Sequence, residues 1–189
     1  MENDEDLITA YLEGEESAFA LLVQRHLKSV YSFVFRLVGN GKDAEDIVQE
    51  TFIKAWKNLK NYSRQSSRFK TWLMHIARNT SIDYLRKKQH IPFSALEGED
   101  ETNWLSENVP DETMLPEEVL AHKDDLEDMN RAMLKLSPLY REVLLLYYGN
   151  DFSFEEAATI SGISVNTLKS RHRRAVAELR KLLMHRNGM

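Results

Sequence analysis

The sequence predicts an all-α protein of two small helical domains, residues 1–90 and 124–189, joined by an acidic flexible linker, residues 91–123. Three observations predict it. Apolar residues recur at helical spacing on both sides of the linker. Two helices separated by a tight turn can be read between Ser153 and Lys181. The charge is divided by position: residues 17–90 balance to +9 and residues 129–189 to +5, while residues 91–128 carry thirteen acids against one lysine. Two basic blocks around an acidic one suggest two nucleic-acid-facing domains, although the whole chain of 189 residues has a net charge of −5.

Composition narrows the function classes. With 42% hydrophobic and 29% charged residues the chain has a globular composition. It contains no cysteine, which excludes disulfides, thiol redox sensing and Cys-ligated zinc and is compatible with the cytoplasm. The first sixteen residues carry seven acids and no base, so no signal peptide is expected. The six histidines are scattered, and no phosphate-cradling glycine loop or nucleophile elbow is present, so neither metal, cofactor nor enzymatic chemistry is expected.

In chain order, Leu7 to Val38 reads as helical. Ser17 begins a stripe of Phe19, Leu22, Val23, Leu27, Val30, Tyr31, Val34 and Leu37, expected to be core. Gly39-Asn40-Gly41 should break the helix. From Asp43 to Leu59 a second helix has Ala44, Ile47, Val48, Phe52, Ala55 and Leu59 on its inner side. Asp46, Gln49, Glu50, Ile53 and Lys57 line the other. That mixed acidic and apolar stripe is either a docking face for a basic helix or an ordinary solvated face.

Lys60 to Arg68 is a basic, serine-rich loop with one aromatic, Tyr62. Phe69 to Lys88 returns to helix, its inner side expected at Phe69, Leu73, Ile76, Ala77, Thr80 and Tyr84. Trp72, His75, Asn79 and Arg86 form an adjacent stripe among Lys70, Arg78, Lys87 and Lys88. Unpaired bases need such stacking surfaces, edge hydrogen bonds and phosphate partners. Trp72 can equally be a core residue among solvated cations. In the acidic, proline-containing linker, Trp104, Leu105, Met114 and Leu115 are isolated apolar anchors. Ser137-Pro138 then reads as an N-cap followed by a first-turn proline.

The last stretch is the most informative. Ser153 and Glu156 make a capping box, Gly162 suits a left-handed C-terminus, and Ser164 offers a second N-cap. Ala158, Gly162 and Leu168 fall where a helix-turn-helix needs a small contact residue, a turn glycine and a core aliphatic. The second helix turns Leu168, Ala175, Leu179 and Leu182 inward. Its N-terminal half presents Asn166, Thr167, Lys169, Ser170, Arg173 and Arg174, residue types that read base edges or hold phosphates.

Taken together, these motifs resemble those of the extracytoplasmic-function (ECF) sigma factors of the sigma-70 family, over nearly the whole chain. DAEDIVQETFIKAW is similar to the region 2.2 helix, FKTWLMHIARNTSIDYLRKK to regions 2.3 and 2.4, and the stretch from Leu136 to Ala175 to region 4. The resemblance implies a subunit that binds core RNA polymerase through its β′ and β subunits, recognises promoter DNA and promotes its melting. It implies polymerase contacts at Asp46, Gln49, Glu50 and Ile53. It implies −10 contacts at Tyr62, Arg64, Arg68, Trp72, Arg78, Asn79, Arg86 and Lys87, with a base extruded from the stack. It places −35 contacts at Asn166, Thr167, Lys169, Ser170, Arg173 and Arg174. His172 and Arg173 depart from the aromatic or aliphatic residue and neighbouring base of many relatives, so no particular −35 sequence is implied. An anti-sigma factor is an implied partner. A self-sufficient helix-turn-helix regulator and a sequestering protein are the alternatives.

Overall fold

The computed structural model describes residues 3–89 and 123–184. The expected linker up to residue 122, with its apolar anchors, lies outside the described residues, and Lys123, its expected last residue, is already helical. Among those residues there are eight α-helices, one short 3-10 turn and no strand.

The first half is built from α1 (Asp4–Leu12), α2 (Glu16–Val38), α3 (Gly41–Asn58) and α4 (Phe69–Gln89), with the 3-10 turn Leu59–Asn61 after α3. The helical stretch expected from Leu7 to Val38 is two helices. Gly14, at φ 111°, reverses the chain between them. Helix α1 begins with a capping box the sequence reading did not identify. The Asp6 amide donates to Asn3 Oδ1 at 2.9 Å and the Asn3 amide to Asp6 Oδ2 at 3.1 Å. At the next break each residue of Gly39-Asn40-Gly41 has its own task. Gly39, at φ 76°, ends α2, Asn40 caps α3 by accepting from the Asp43 amide at 3.1 Å, and Gly41 is the first helical residue.

The second half contains α5 (Lys123–Lys135), α6 (Pro138–Asn150), α7 (Phe154–Ser161) and α8 (Val165–Met184). Ser137 caps α6, and Asp151, at φ 56°, ends it. Ser153 and Glu156 form the predicted capping box, with bonds of 3.2 and 3.0 Å. Gly162 ends α7 in the left-handed region at φ 69°, and Ser164 Oγ accepts from the Thr167 amide at the start of α8.

The two halves pack on one another, α2 against α6 and α4 against α7. Their apolar interiors merge: Phe33, Leu37, Phe69, Leu73 and Met74 belong to the same buried cluster as Val143, Leu146, Ile160 and Leu168. Arg141 ties the seam. Its guanidinium donates to Met133 O at 2.8 Å, Leu134 O at 2.7 Å, Leu136 O at 3.0 Å and also to Leu37 O. One cation thereby satisfies carbonyls left over at the C-terminal ends of α2 and α5, where the helix dipole favours positive charge. Desolvation lowers its pKa to about 10.

Candidate polymerase and nucleic-acid interfaces

On α3 the inner residues are buried as expected, from Ala44 at 0% to Phe52 at 9% exposed. Asp46, Gln49, Glu50, Ile53 and Lys57 share the exposed side. That face is not simply solvated. Ile53 is 43% exposed and Trp56 50%, and they border an open apolar groove of about 950 Å³ between α2 and α3. Phe19, Val23, Leu27 and Tyr31 line its α2 wall. Their assignment to the core is corrected here: Leu27 is 45% exposed, and the other three are only partly buried. Helical periodicity marks a residue as inward-facing but cannot say whether a neighbouring helix closes over it. Trp56 was missed because it falls outside both stripes; a large aromatic beside a docking stripe was the available signal. Contiguous exposed apolar surface of this kind marks an interaction site.

The expected −10 face is spread over the 62–68 loop and α4. Tyr62 is half-buried, its ring against Phe69 and Trp72 at centroid distances of 5.6 and 5.4 Å. Its hydroxyl donates to Ser67 O at 3.1 Å, closing the loop on itself. Burial, and secondarily the Glu5 carboxylate, raises its pKa above the ordinary tyrosine value. Trp72 joins the same aromatic group, its ring 5.7 Å from Phe69, and is partly buried. Arg64 lies 3.6 Å from Glu5, and Arg68 3.9 Å from Glu156 on α7. Arg86 pairs with Asp83 at 3.2 Å on the outer side of α4, and Lys87 is exposed.

Arg78 and Asn79 are placed differently. The Arg78 side chain is 11% exposed and its Nε lies 3.0 Å from Oε1 of Glu142, a residue of α6 with 0% exposure. Arg78 Nη1 donates to Asn79 Oδ1 at 3.0 Å, and Asn79 Nδ2 to His75 Nε2 at 2.9 Å. His75 Nδ1 lies 2.8 Å from Ile160 O; a carbonyl can only accept, so Nδ1 carries the hydrogen and Nε2 is the acceptor. A polar chain therefore runs from α4 into the second half. Arg78 meets α6 directly, and Asn79 reaches α7 through His75.

The helix-turn-helix is formed by α7 and α8, with Ala158 4% and Leu168 0% exposed around Gly162. Asn166, Lys169 and Arg173 are exposed, and Thr167 and Ser170 are half-buried. Lys169 Nζ rests 5.7 Å from the Phe154 ring centroid. Arg174 is only 9% exposed, with Nη2 donating to Ser170 Oγ at 3.2 Å, so it lies back along α8. His172 is 1% exposed and ringed by Tyr147, Tyr148 and Phe154 at 5.2–5.5 Å. It fills the interior place that an aromatic would fill. Desolvation lowers its pKa to about 4.

Among the described residues no group of three or more His, Asp or Glu could hold a metal ion, and no helix is long and apolar enough to cross a membrane.

Comparison with known proteins agrees with this architecture. Residues 22–91 match the Sigma-70 region 2 family and residues 126–179 the Sigma-70 region 4 family. The ECF RNA polymerase sigma factor SigW of Bacillus subtilis is 35% identical over 90% of this chain and 91% of its own. The ECF RNA polymerase sigma-E factor of Salmonella typhimurium is 34% identical, covering 91% and 90%. Among solved structures, RpoE of Bartonella quintana in complex with the anti-sigma factor NepR superposes with a TM-score of 0.65. Its identity is 31%, over 88% of this chain and 96% of that one. CnrH in complex with the cytosolic domain of CnrY superposes at 0.68, with 26% identity over 96% and 97%. With both sigma regions matched in order and SigW 35% identical over 91% of its own length, the chain belongs to the sigma-70 family, in its extracytoplasmic-function group.

Proposed function

We propose that this chain is the promoter-specificity subunit of a bacterial RNA polymerase, acting in the cytoplasm where that enzyme and the chromosome meet. The observation that carries the reading is the pairing, in one chain, of an exposed recognition helix with a second helix offering Asp46, Gln49, Glu50 and Ile53 beside an open apolar groove. A polymerase helix with an apolar stripe and basic flanks fits that groove: Ile53 and Trp56 supply buried area, and Asp46 and Glu50 supply charge complementarity. On α8, Asn166, Lys169 and Arg173 would enter the major groove of the −35 element, with Thr167 and Ser170 on its backbone. On α4 and its preceding loop, Arg64, Arg68, Arg86 and Lys87 would hold phosphates of the opened −10 strand. Tyr62 and Trp72 would offer ring surface, and Arg78 and Asn79 base or phosphate contacts. An anti-sigma factor is the proposed negative regulator, as with the RpoE relative solved with NepR.

Purified chain and bacterial core polymerase, given templates with randomised −35 and −10 boxes, test this directly. Specific run-off transcripts appearing only with both proteins are the expected result. Duplex binding by the chain alone, with no affinity for core, would replace the proposal with an autonomous regulator.

A further inference from the structure

We propose that the pocket between α1, α2 and the loop before α4 binds a phosphate-rich anion, with Arg25 and Lys70 as ligands that the promoter-binding reading does not use. Four cations converge on one concavity of about 500 Å³ from three parts of the chain. Arg25 comes from α2, Arg64 and Arg68 from the loop, and Lys70 from the first turn of α4. Phe69, 2% exposed, gives them an apolar backing. Among the described residues, Asp4 and Glu5 of α1 are the acids of the lining, so four positive charges stand against two negative ones.

These acids do not saturate the cations. Both Asp4 oxygens are engaged, Oδ1 by Arg25 Nη1 at 2.7 Å and Oδ2 by His26 Nε2 at 2.9 Å, which holds Arg25 at the pocket wall. Glu5 Oε1 stands 3.6 Å from Arg64 Nε, beyond hydrogen-bond reach, and the Arg64 side chain is 74% exposed. Arg68 Nη1 lies 3.9 Å from Glu156 Oε1 with its side chain 85% exposed. Lys70 meets no acid among the described residues, and one of its three donors goes to Asn150 O at 3.3 Å. Exposed pairs at such distances hold weakly and exchange partners readily. A phosphate offers several oxygens on one centre, which forked guanidiniums meet in pairs and an ammonium meets as a point charge. Arg86 and Lys87, at the far end of α4, line no part of the pocket, so these four cations form a convergent set with room for a short polyphosphate chain. The phosphates can belong to a small free polyphosphate or, resting on the promoter-binding reading, to the opened −10 strand.

The test is a calorimetric titration of the full chain with inorganic tripolyphosphate at low salt. Saturable binding at one site is expected, weakened about tenfold by Arg25→Gln or Lys70→Gln. Glu5→Gln, which removes an acid from the lining, should strengthen it about threefold. Should Arg25→Gln disturb the fold by stranding Asp4, Lys70→Gln carries the measurement, since no acid depends on it. Lys60→Gln removes the same charge from an exposed position on the loop that does not line the pocket, and should leave the affinity unchanged. Absence of saturable binding, or equal losses in Lys60→Gln and Lys70→Gln, would overturn the site. A single-stranded oligonucleotide carrying the −10 sequence recovered from the transcription selection separates the two sources. Competition with tripolyphosphate, with Lys70→Gln weakening both, assigns the pocket to the strand; simultaneous binding assigns it to a free polyphosphate. A chain that binds tripolyphosphate through Lys70 but directs no transcription with core keeps the pocket and loses the promoter-binding reading. A chain that transcribes without saturable tripolyphosphate binding loses the pocket alone.

Discussion

Arg141 shows how much one side chain can hold. Its four donated hydrogen bonds reach carbonyls of both halves. Arg141→Met keeps most of the aliphatic volume but strands buried acceptors, and should cost about 2–4 kcal/mol in denaturant unfolding. His172 gives a pH signature. An unfolded chain takes up a proton below the ordinary value of 6.5, whereas the buried ring refuses it until about 4. Its contribution to stability is therefore complete above 6.5 and lost as pH falls toward 4, by up to ~3 kcal/mol. Unfolding curves of His172→Phe should lose that slope between about pH 6.5 and pH 4 while holding the aromatic packing. Arg173, exposed on α8, is the residue to test for base readout. Arg173→Ala should cost about 1–3 kcal/mol at one promoter position if it binds a base bidentately; a uniform loss across promoter variants would make it a phosphate contact.

Among the elements, α3 and the α7–α8 pair have the clearest assignments. Helix α3 presents acids and apolar residues together at the rim of a groove that α2 leaves open. Gln49→Arg with Glu50→Arg should weaken core polymerase binding by charge reversal. Both side chains are exposed, so the fold itself should be unaffected in a thermal melt. Intact core affinity in that double variant would remove α3 from the polymerase interface. In the helix-turn-helix, the Ser153 cap should contribute about 1 kcal/mol. Ser153→Ala leaves the Glu156 amide without its acceptor, which urea unfolding would register at unchanged promoter preference.

For the whole molecule, the decisive feature is that one apolar cluster runs through both halves. A continuous interior couples their unfolding, so calorimetry on the free chain should show a single cooperative transition. Charge acts at the same scale. The acids and bases that nearly cancel in the total are partly brought face to face here, Glu5 beside Arg64, Glu156 beside Arg68 and Glu142 beside Arg78. Exposed pairs of this kind are screened by salt, while the interior pair is screened far less.

Local chemistry was legible from the residues alone. Capping side chains, left-handed glycines and the helix-turn-helix spacing act within a few residues of chain, so Ser153, Glu156, Gly162 and Leu168 could be placed before any packing was known. Helix α3 was legible for the same reason, its inner and outer faces following from a 3.6-residue period. What lay beyond reach depended on residues distant in sequence. Nothing near Leu27 or Tyr31 says that no helix covers them. Nothing near Arg78 says that Glu142, sixty-four positions later, meets it inside the molecule. Periodicity reports which way a side chain points; only the packing of one helix on another decides whether it finds solvent, a groove or an opposite charge.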